Sequence, residues 1–249
     1  MNDDNQGRVY VARVDLGVRW RWHPSALRGA VLASVARVSG GDAGLHSDWN
    51  GRLQAGEGET LSRIAPICYR VDGDRAGLYL WGPRTGERLA ELGRIDSVTD
   101  PDGRVQVVAV AVDGQEESVG LMGRHWYLYE SAMPWWPPGA AWQRYPGRDA
   151  PREVLRAWAG LAVASGLHGA LRGFGVDVSG PTRVSVQVEQ VQACPVVWHR
   201  DTREIHHNAV GFRLRWISNV RLPDGFGLGK HIAEGYGEMR RVDDWKLPN

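Results

Sequence analysis

Between residues 8 and 22 apolar and polar positions alternate: Val14, Leu16, Val18, Trp20 and Trp22 stand between Arg13, Asp15, Gly17, Arg19 and Arg21. A period of two is the pattern of a half-buried strand. His23-Pro24-Ser25 interrupts it, and Leu27, Val31 and Val35 then recur at helical spacing. This predicts a helix to about Arg37, opened by Pro24 or Ser25. A Gly-rich break at 39–44 leads into an irregular loop over 45–60. Strands are expected at 63–72 and 76–81 around Asp72-Gly73-Asp74, and a short helix from Arg84 to Leu92. Further strands are expected at 93–99, 104–112 and 123–130, with turns at Asp102-Gly103 and Asp113-Gly114.

Trp135-Trp136-Pro137-Pro138-Gly139 and Pro146-Gly147 mark loops. The longest helical pattern runs from Arg152 to about Arg172 and stops at Gly173 and Gly175. Strands are predicted at 182–192, 194–200 and 209–217, a turn at 202–208, a Gly-rich loop at 219–231 and a last strand at 234–242. Helices alternate irregularly with mostly antiparallel strands, which favours an α+β fold over a doubly wound sheet. Two ferredoxin-like (RRM-like) halves fit this order. The expected division is 1–121, with the arginine-bearing first helix, and 122–249, with the Gly-rich loop.

Composition narrows the class. The chain has 249 residues, 43% hydrophobic and 24% charged, enough to build a packed core. No stretch approaches the roughly 20 apolar residues of a membrane span, and the polar N-terminus does not read as a secretory signal. Two cysteines, Cys68 and Cys194, exclude a disulfide scaffold and fit a reducing cytoplasm. Net charge is only +1, but Arg13, Arg19, Arg21, Arg28 and Arg37 face a single acid, Asp15, in that stretch. Such a patch attracts phosphate on an otherwise neutral protein. Most of the twelve tryptophans are expected in the core.

Five glycines (225, 227, 229, 235 and 237) lie within thirteen residues, with Lys230, His231, Arg240 and Arg241 among or after them. Glycine lets backbone N–H groups approach a phosphate closely. A Walker A loop is excluded, because Asp224 stands where its first glycine belongs and His231 follows Lys230. A dinucleotide fingerprint fails too, since neither Gly225 nor Gly227 begins G-x-G-x-x-G.

The pattern resembles the C-terminal Gly-rich loop of the CRISPR-associated RAMP superfamily, in particular its pre-crRNA-processing endoribonucleases. The matching residues are Phe212-Arg-Leu-Arg-Trp-Ile-Ser-Asn219, Leu222-Pro223, Gly227-Leu-Gly-Lys230 and Gly235-Tyr-Gly237. Leu27-Arg-Gly-Ala-Val31 is similar to the family's first-helix motif, and Leu45-His46 to the leucine–histidine after it. Arg63 to Val71 with Gly77 to Gly82 resembles the next hairpin, and the arginine-bearing first helix points towards a type IV-like member.

The resemblance implies cleavage of CRISPR repeat RNA without a metal ion or cofactor. In that chemistry the ribose 2′-OH attacks its own phosphate, leaving a 2′,3′-cyclic phosphate and a 5′-OH. A base, an acid and positive charge are needed. His46 is the first catalytic candidate by position and His23 the second, with Arg28 and Arg37 supplying charge. Nine residues separate these arginines, about 180° round a helix, so one straight helix does not aim both at one phosphate. Arg19, Arg21, Gly227, Gly229, Lys230, His231, Arg240 and Arg241 are the candidates for holding RNA. The implied partners are repeat RNA, its crRNA product and other CRISPR effector subunits, with no membrane. A non-catalytic RAMP RNA-binding subunit is the alternative, since both kinds share the loop. Cys194, His199, His206 and His207 offer zinc-compatible atoms, but their spacing is that of no familiar knuckle. No G-x-S-x-G supports a serine hydrolase.

Overall fold

A computed structural model describes residues 6–39, 67–82, 84–123, 125–176, 180–200, 203–230, 232 and 235–242. The first half comprises β1 (Gln6–Arg19), α1 (Pro24–Val38), β2 (Ile67–Asp72), β3 (Arg75–Trp81), α2 (Thr85–Leu92), β4 (Ser97–Thr99), β5 (Val105–Val107) and β6 (Ala111–Leu121). The second comprises β7 (Tyr127–Ser131), α3 (Gly139–Trp142), α4 (Arg152–Gly173), β8 (Val184–Arg200), β9 (Arg203–Ser218), β10 (Val220–Arg221), β11 (Phe226–Gly227) and β12 (Glu238–Val242).

The first sheet has the order β10-β6-β1-β3-β2 and the second β11-β12-β7-β9-β8. All these pairings are antiparallel. Without β10 and β11, each half keeps its four main strands in the spatial order fourth-first-third-second. That is the ferredoxin-like arrangement expected from the sequence. The sheets change over between Leu121 and Tyr127, but β10 crosses back to pair with β6. In the second half the Gly-rich segment from Leu222 to Gly237 occupies the chain position that α2 occupies in the first.

The alternation in β1 continues further than one buried face needs. Ala12, Val14, Leu16 and Val18 form a core with Leu27, Val31 and Val35 of α1. Val9 and Val11 join a second core with Tyr79, Trp81, Trp158, Phe212, Leu214 and Trp216. The first sheet is therefore covered on both faces. Trp20, Trp81, Trp135 and Trp216 are fully buried, as expected for core tryptophans.

Several boundaries differ from the sequence reading. Asp113-Gly114 is no turn but lies inside β6, paired with Arg13 and Ala12; Tyr10 packs directly over Gly114, where a Cβ would not fit. The segment 93–99 supplies only β4, and 104–112 is divided between β5 and the start of β6. The turn expected at 202–208 is strand from Arg203 onward, and β8 and β9 stay in register from Val184–Ser218 to Arg200–Arg203, apart from an irregularity at Val188–Gln190. The last strand begins at Glu238, not at 234. Contrary to the reading of the sequence, α4 is long and apolar enough, by length and composition alone, to cross a membrane. Its buried residues, Leu155, Trp158, Ala159 and Val163 among them, lie in the second core.

An ion pair ties the halves together. Arg241 of β12 donates to Glu117 of β6 at 3.1 Å and to the Leu222 carbonyl at 3.2 Å. The two side chains are 14% and 6% exposed, so removing one strands the other charge away from water. Arg241→Met should lower stability by about 3 kcal/mol, and adding Glu117→Leu should recover most of the loss. Urea unfolding of both variants measures this; equal losses in the single and double variants would contradict a buried pair.

Candidate nucleic-acid interface

The site begins with the turn into α1. His23 is its N-cap: the Ser25 backbone N–H donates to His23 Nδ1 at 3.2 Å, and Ser25 Oγ lies 2.9 Å from the same nitrogen. An Nδ1 that accepts carries no proton, so the neutral ring has its proton on Nε2. The other face of the site comes from Gly235-Tyr236-Gly237. Gly235 has φ +87°, and a Cβ there would lie 2.5 Å from Pro24 Cβ and 2.8 Å from the Tyr69 carbonyl. Only glycine lets the loop press this closely on the first turn of α1. The result is a tilted ring contact between Tyr236 and His23, centroids 4.8 Å apart and planes 38° from parallel. Trp136 braces Tyr236 from its edge at 5.8 Å.

His23 and Tyr236 line a cleft of about 400 Å³ with Pro134, Gln192, Cys194 and Arg213. The sequence reading named His23 here but missed Tyr236, Gln192 and Arg213. Tyr236 had a signal, since it stands inside the quoted Gly235-Tyr-Gly237. Gln192 and Arg213 had none beyond strand alternation; their meeting with His23 follows from tertiary packing.

The other expected residues disperse. His46 and His231 lie outside the described residues. Arg28 is half-buried on α1, close enough to Tyr69 for its charge to favour the phenolate; burial outweighs it and holds the Tyr69 phenol above its usual range. Arg37 is exposed, with its guanidinium 3.4 Å from Ser34 Oγ. Fourteen residues, or about 21 Å of helix, separate it from His23. Arg19 and Arg21 are exposed, pairing with Asp74 and Asp102 respectively, and Arg21 also lies over the Trp22 ring. Exposed pairs of this kind are weak and exchangeable.

The glycines serve packing. A Cβ on Gly229 would lie 2.3 Å from the Trp136 carbonyl, and one on Gly227 would strike Ile232. Lys230 is exposed, with its backbone N–H donating to the Trp136 carbonyl at 2.8 Å. Arg240 pairs with Glu238 and Asp72. Arg241 is taken up by Glu117, so its main role is to join the halves.

For the zinc-compatible set, the register places Cys194 opposite Ala209, with His207 and His206 further along opposite Val196 and Val197. Burial pushes the Cys194 thiol above its ordinary value, which disfavours the thiolate a metal needs. Among the described residues, no three His, Cys, Asp or Glu side chains gather to hold a metal ion.

No family model matches the chain, and no curated protein matches its sequence. Solved structures do. A Cas6b crystal structure superposes with a TM-score of 0.66 at 15% identity, covering 95% of this chain and all of that one. A second Cas6b, described as a CRISPR RNA processing endoribonuclease, gives 0.59 at 14% identity over the same shares. Csf5, described as a type IV Cas6 crRNA endonuclease, gives 0.58 at 15% identity, again over 95% and 100%.

The packing explanation of the loop predicts a contrast between two glycines of positive φ. Gly235→Ala should lose about 2 kcal/mol or more, combining backbone strain with the clash on Pro24. Gly103→Ala, at φ +80° with nothing within 4 Å, should lose only the strain component. Equal losses in urea unfolding would remove the close-approach argument. At the level of architecture the outcome is plain: this chain has the α+β, two-half fold of the Cas6 CRISPR RNA-processing endoribonucleases.

Proposed function

We propose that the protein is a metal-independent endoribonuclease that cuts CRISPR repeat RNA and stays bound to its crRNA product. The observation that carries this reading is the cleft where His23 at the start of α1 meets Tyr236 of the Gly-rich loop. It lies in a fold shared along 95% of the chain with proteins described as CRISPR RNA-processing endonucleases.

The reaction requires no water. The 2′-oxygen loses its proton to a base and bonds to phosphorus, the bond from phosphorus to the 5′-oxygen breaks, and an acid protonates the departing oxygen. The products are a 2′,3′-cyclic phosphate and a 5′-OH. Hydrogen bonding at His23 favours the donor role. With Nδ1 receiving the Ser25 amide, the neutral ring donates through Nε2. In the imidazolium form a general acid needs, Ser25 Oγ at 2.9 Å can accept from Nδ1–H instead. The base role falls to His46. Arg28, on the helix that begins at His23, adds positive charge near the site. Arg37 and Lys230 lie exposed along the RNA path, and Arg19 and Arg21 can exchange their exposed carboxylate partners for phosphates. The reading places the protein in the cytoplasm with repeat RNA and other CRISPR effector subunits as partners.

The test is incubation of the protein with its cognate repeat RNA in EDTA. Cleavage should proceed and leave a cyclic phosphate. His23→Asn keeps a good N-cap residue but cannot act as the acid. It should slow cleavage by about a hundredfold or more, with the gel shift and the melting temperature preserved. RNA that shifts but stays uncut would favour a non-catalytic binding subunit, and cutting that stops in EDTA would overturn the mechanism.

A further inference from the structure

Among the described residues, one side of β9 is exposed at Arg213 and Arg215, and Arg213 lines the His23 cleft. Phe212, Leu214 and Trp216 of β9 are buried in the second core. The intervening Arg213 and Arg215 are exposed. Arg215 is held by Glu130 on the neighbouring strand, 2.9 Å away. Arg213 has no carboxylate partner among the described residues, and its register partner on β8 is Gln190. Among the described residues it is the arginine that lines the cleft with His23 and Tyr236.

The remaining walls are of a different character. Ala132, Met133 and Pro134 form a half-buried apolar side, and Tyr236, itself buried, completes the lining. Gln192 supplies an amide beside the Cys194 thiol. Gly211 lets Cys194 and Pro134 close together beneath the strand: a Cβ there would lie 2.4 Å from Cys194 Sγ and 2.9 Å from Pro134 Cβ. The cleft thus offers a cation, an apolar wall and one amide. That combination suits a nucleotide, whose phosphate needs charge and whose base needs an apolar surface and an edge contact. Its volume of about 400 Å³ is that of a small-ligand pocket.

We propose that this cleft binds a single nucleotide of the RNA strand, with Arg213 holding its phosphate and Gln192 and the Ala132–Pro134 wall meeting its base. The assignment rests on the endoribonuclease reading for the identity of the strand, but the pocket can be tested without cleavage. A nucleoside 3′-monophosphate, carrying one base and one phosphate, is the probe. By NMR titration it should shift the His23 and Tyr236 ring signals. Arg213→Ala should weaken this binding by roughly tenfold or more, and Arg213→Lys should restore only part of it, because the planar fork is lost. In single-turnover cleavage of repeat RNA, Arg213→Ala should reduce the rate by roughly a hundredfold. Arg213 is exposed, so neither change should move the melting temperature.

The outcomes separate the two claims. If the RNA is not cut but the mononucleotide binds in an Arg213-dependent way, the pocket stands and the endoribonuclease reading fails. If the RNA is cut and Arg213→Ala alters neither its rate nor mononucleotide binding, the pocket assignment is overturned and the enzyme reading survives.

Discussion

The close approach of the Gly-rich loop to its neighbours sets the geometry on which the rest of the molecule depends. Where the first half has α2, the second has a segment of turns and a short strand whose described residues touch both halves. At Gly225 a Cβ would stand 2.2 Å from the Tyr79 ring, at Gly229 2.3 Å from the Trp136 carbonyl and at Gly235 2.5 Å from Pro24. Tyr79 and Pro24 belong to the first half and Trp136 to the second. The loop therefore acts as a thin spacer, and any side chain at these positions must push one half away. Since Tyr236 sits in the same segment, this spacing also fixes its ring against His23. Packing and site geometry share one cause.

Burial sorts the cations. Arg241 is sunk against Glu117 and the Leu222 carbonyl, and Tyr129 nearby accepts the Leu222 N–H and donates to the Val220 carbonyl. Glu238 is buried close by; desolvation raises its carboxyl above the usual value even though Arg240 and Arg70 favour the charged form. Such groups are committed to joining β12 to the first sheet. Arg19, Arg21, Lys230 and Arg213 remain exposed, where exchanging water or a weak partner for phosphate costs little. A near-zero net charge is thus compatible with RNA binding, because part of the positive charge is internal and neutralised.

The architecture was legible where periodicity was strong. The alternation from Val14 to Trp20 and the helical spacing of Leu27, Val31 and Val35 gave β1 and α1, and valines 184, 186 and 188 gave the start of β8. The pattern misled where local chemistry and tertiary context disagreed. Asp113-Gly114 has turn composition, yet long pairing with β1 makes it strand, and Tyr10 takes the space above the glycine. The polar residues at 202–208 suggested a loop, but continuous pairing with β8 carries the strand to Arg203. At the site, the Gly235-Tyr-Gly237 motif was visible, while its purpose was not: these glycines serve contact with protein. Arg213 was unremarkable in a strand that alternates Arg and apolar residues. Only the position of β7 and its Glu130, which takes Arg215 and leaves Arg213, distinguishes it.

The central claim is that RNA chemistry takes place between the halves, where α1 begins and the Gly-rich loop returns. The most direct measurement is photocrosslinking of cognate repeat RNA carrying one 4-thiouridine beside the scissile phosphate and a 2′-deoxy ribose that blocks cleavage. The account predicts crosslinked peptides containing His23, Tyr236 or the β9 segment around Arg213. Crosslinks confined to the outer face of α4 or to β4 and β5, with none in those peptides, would contradict it.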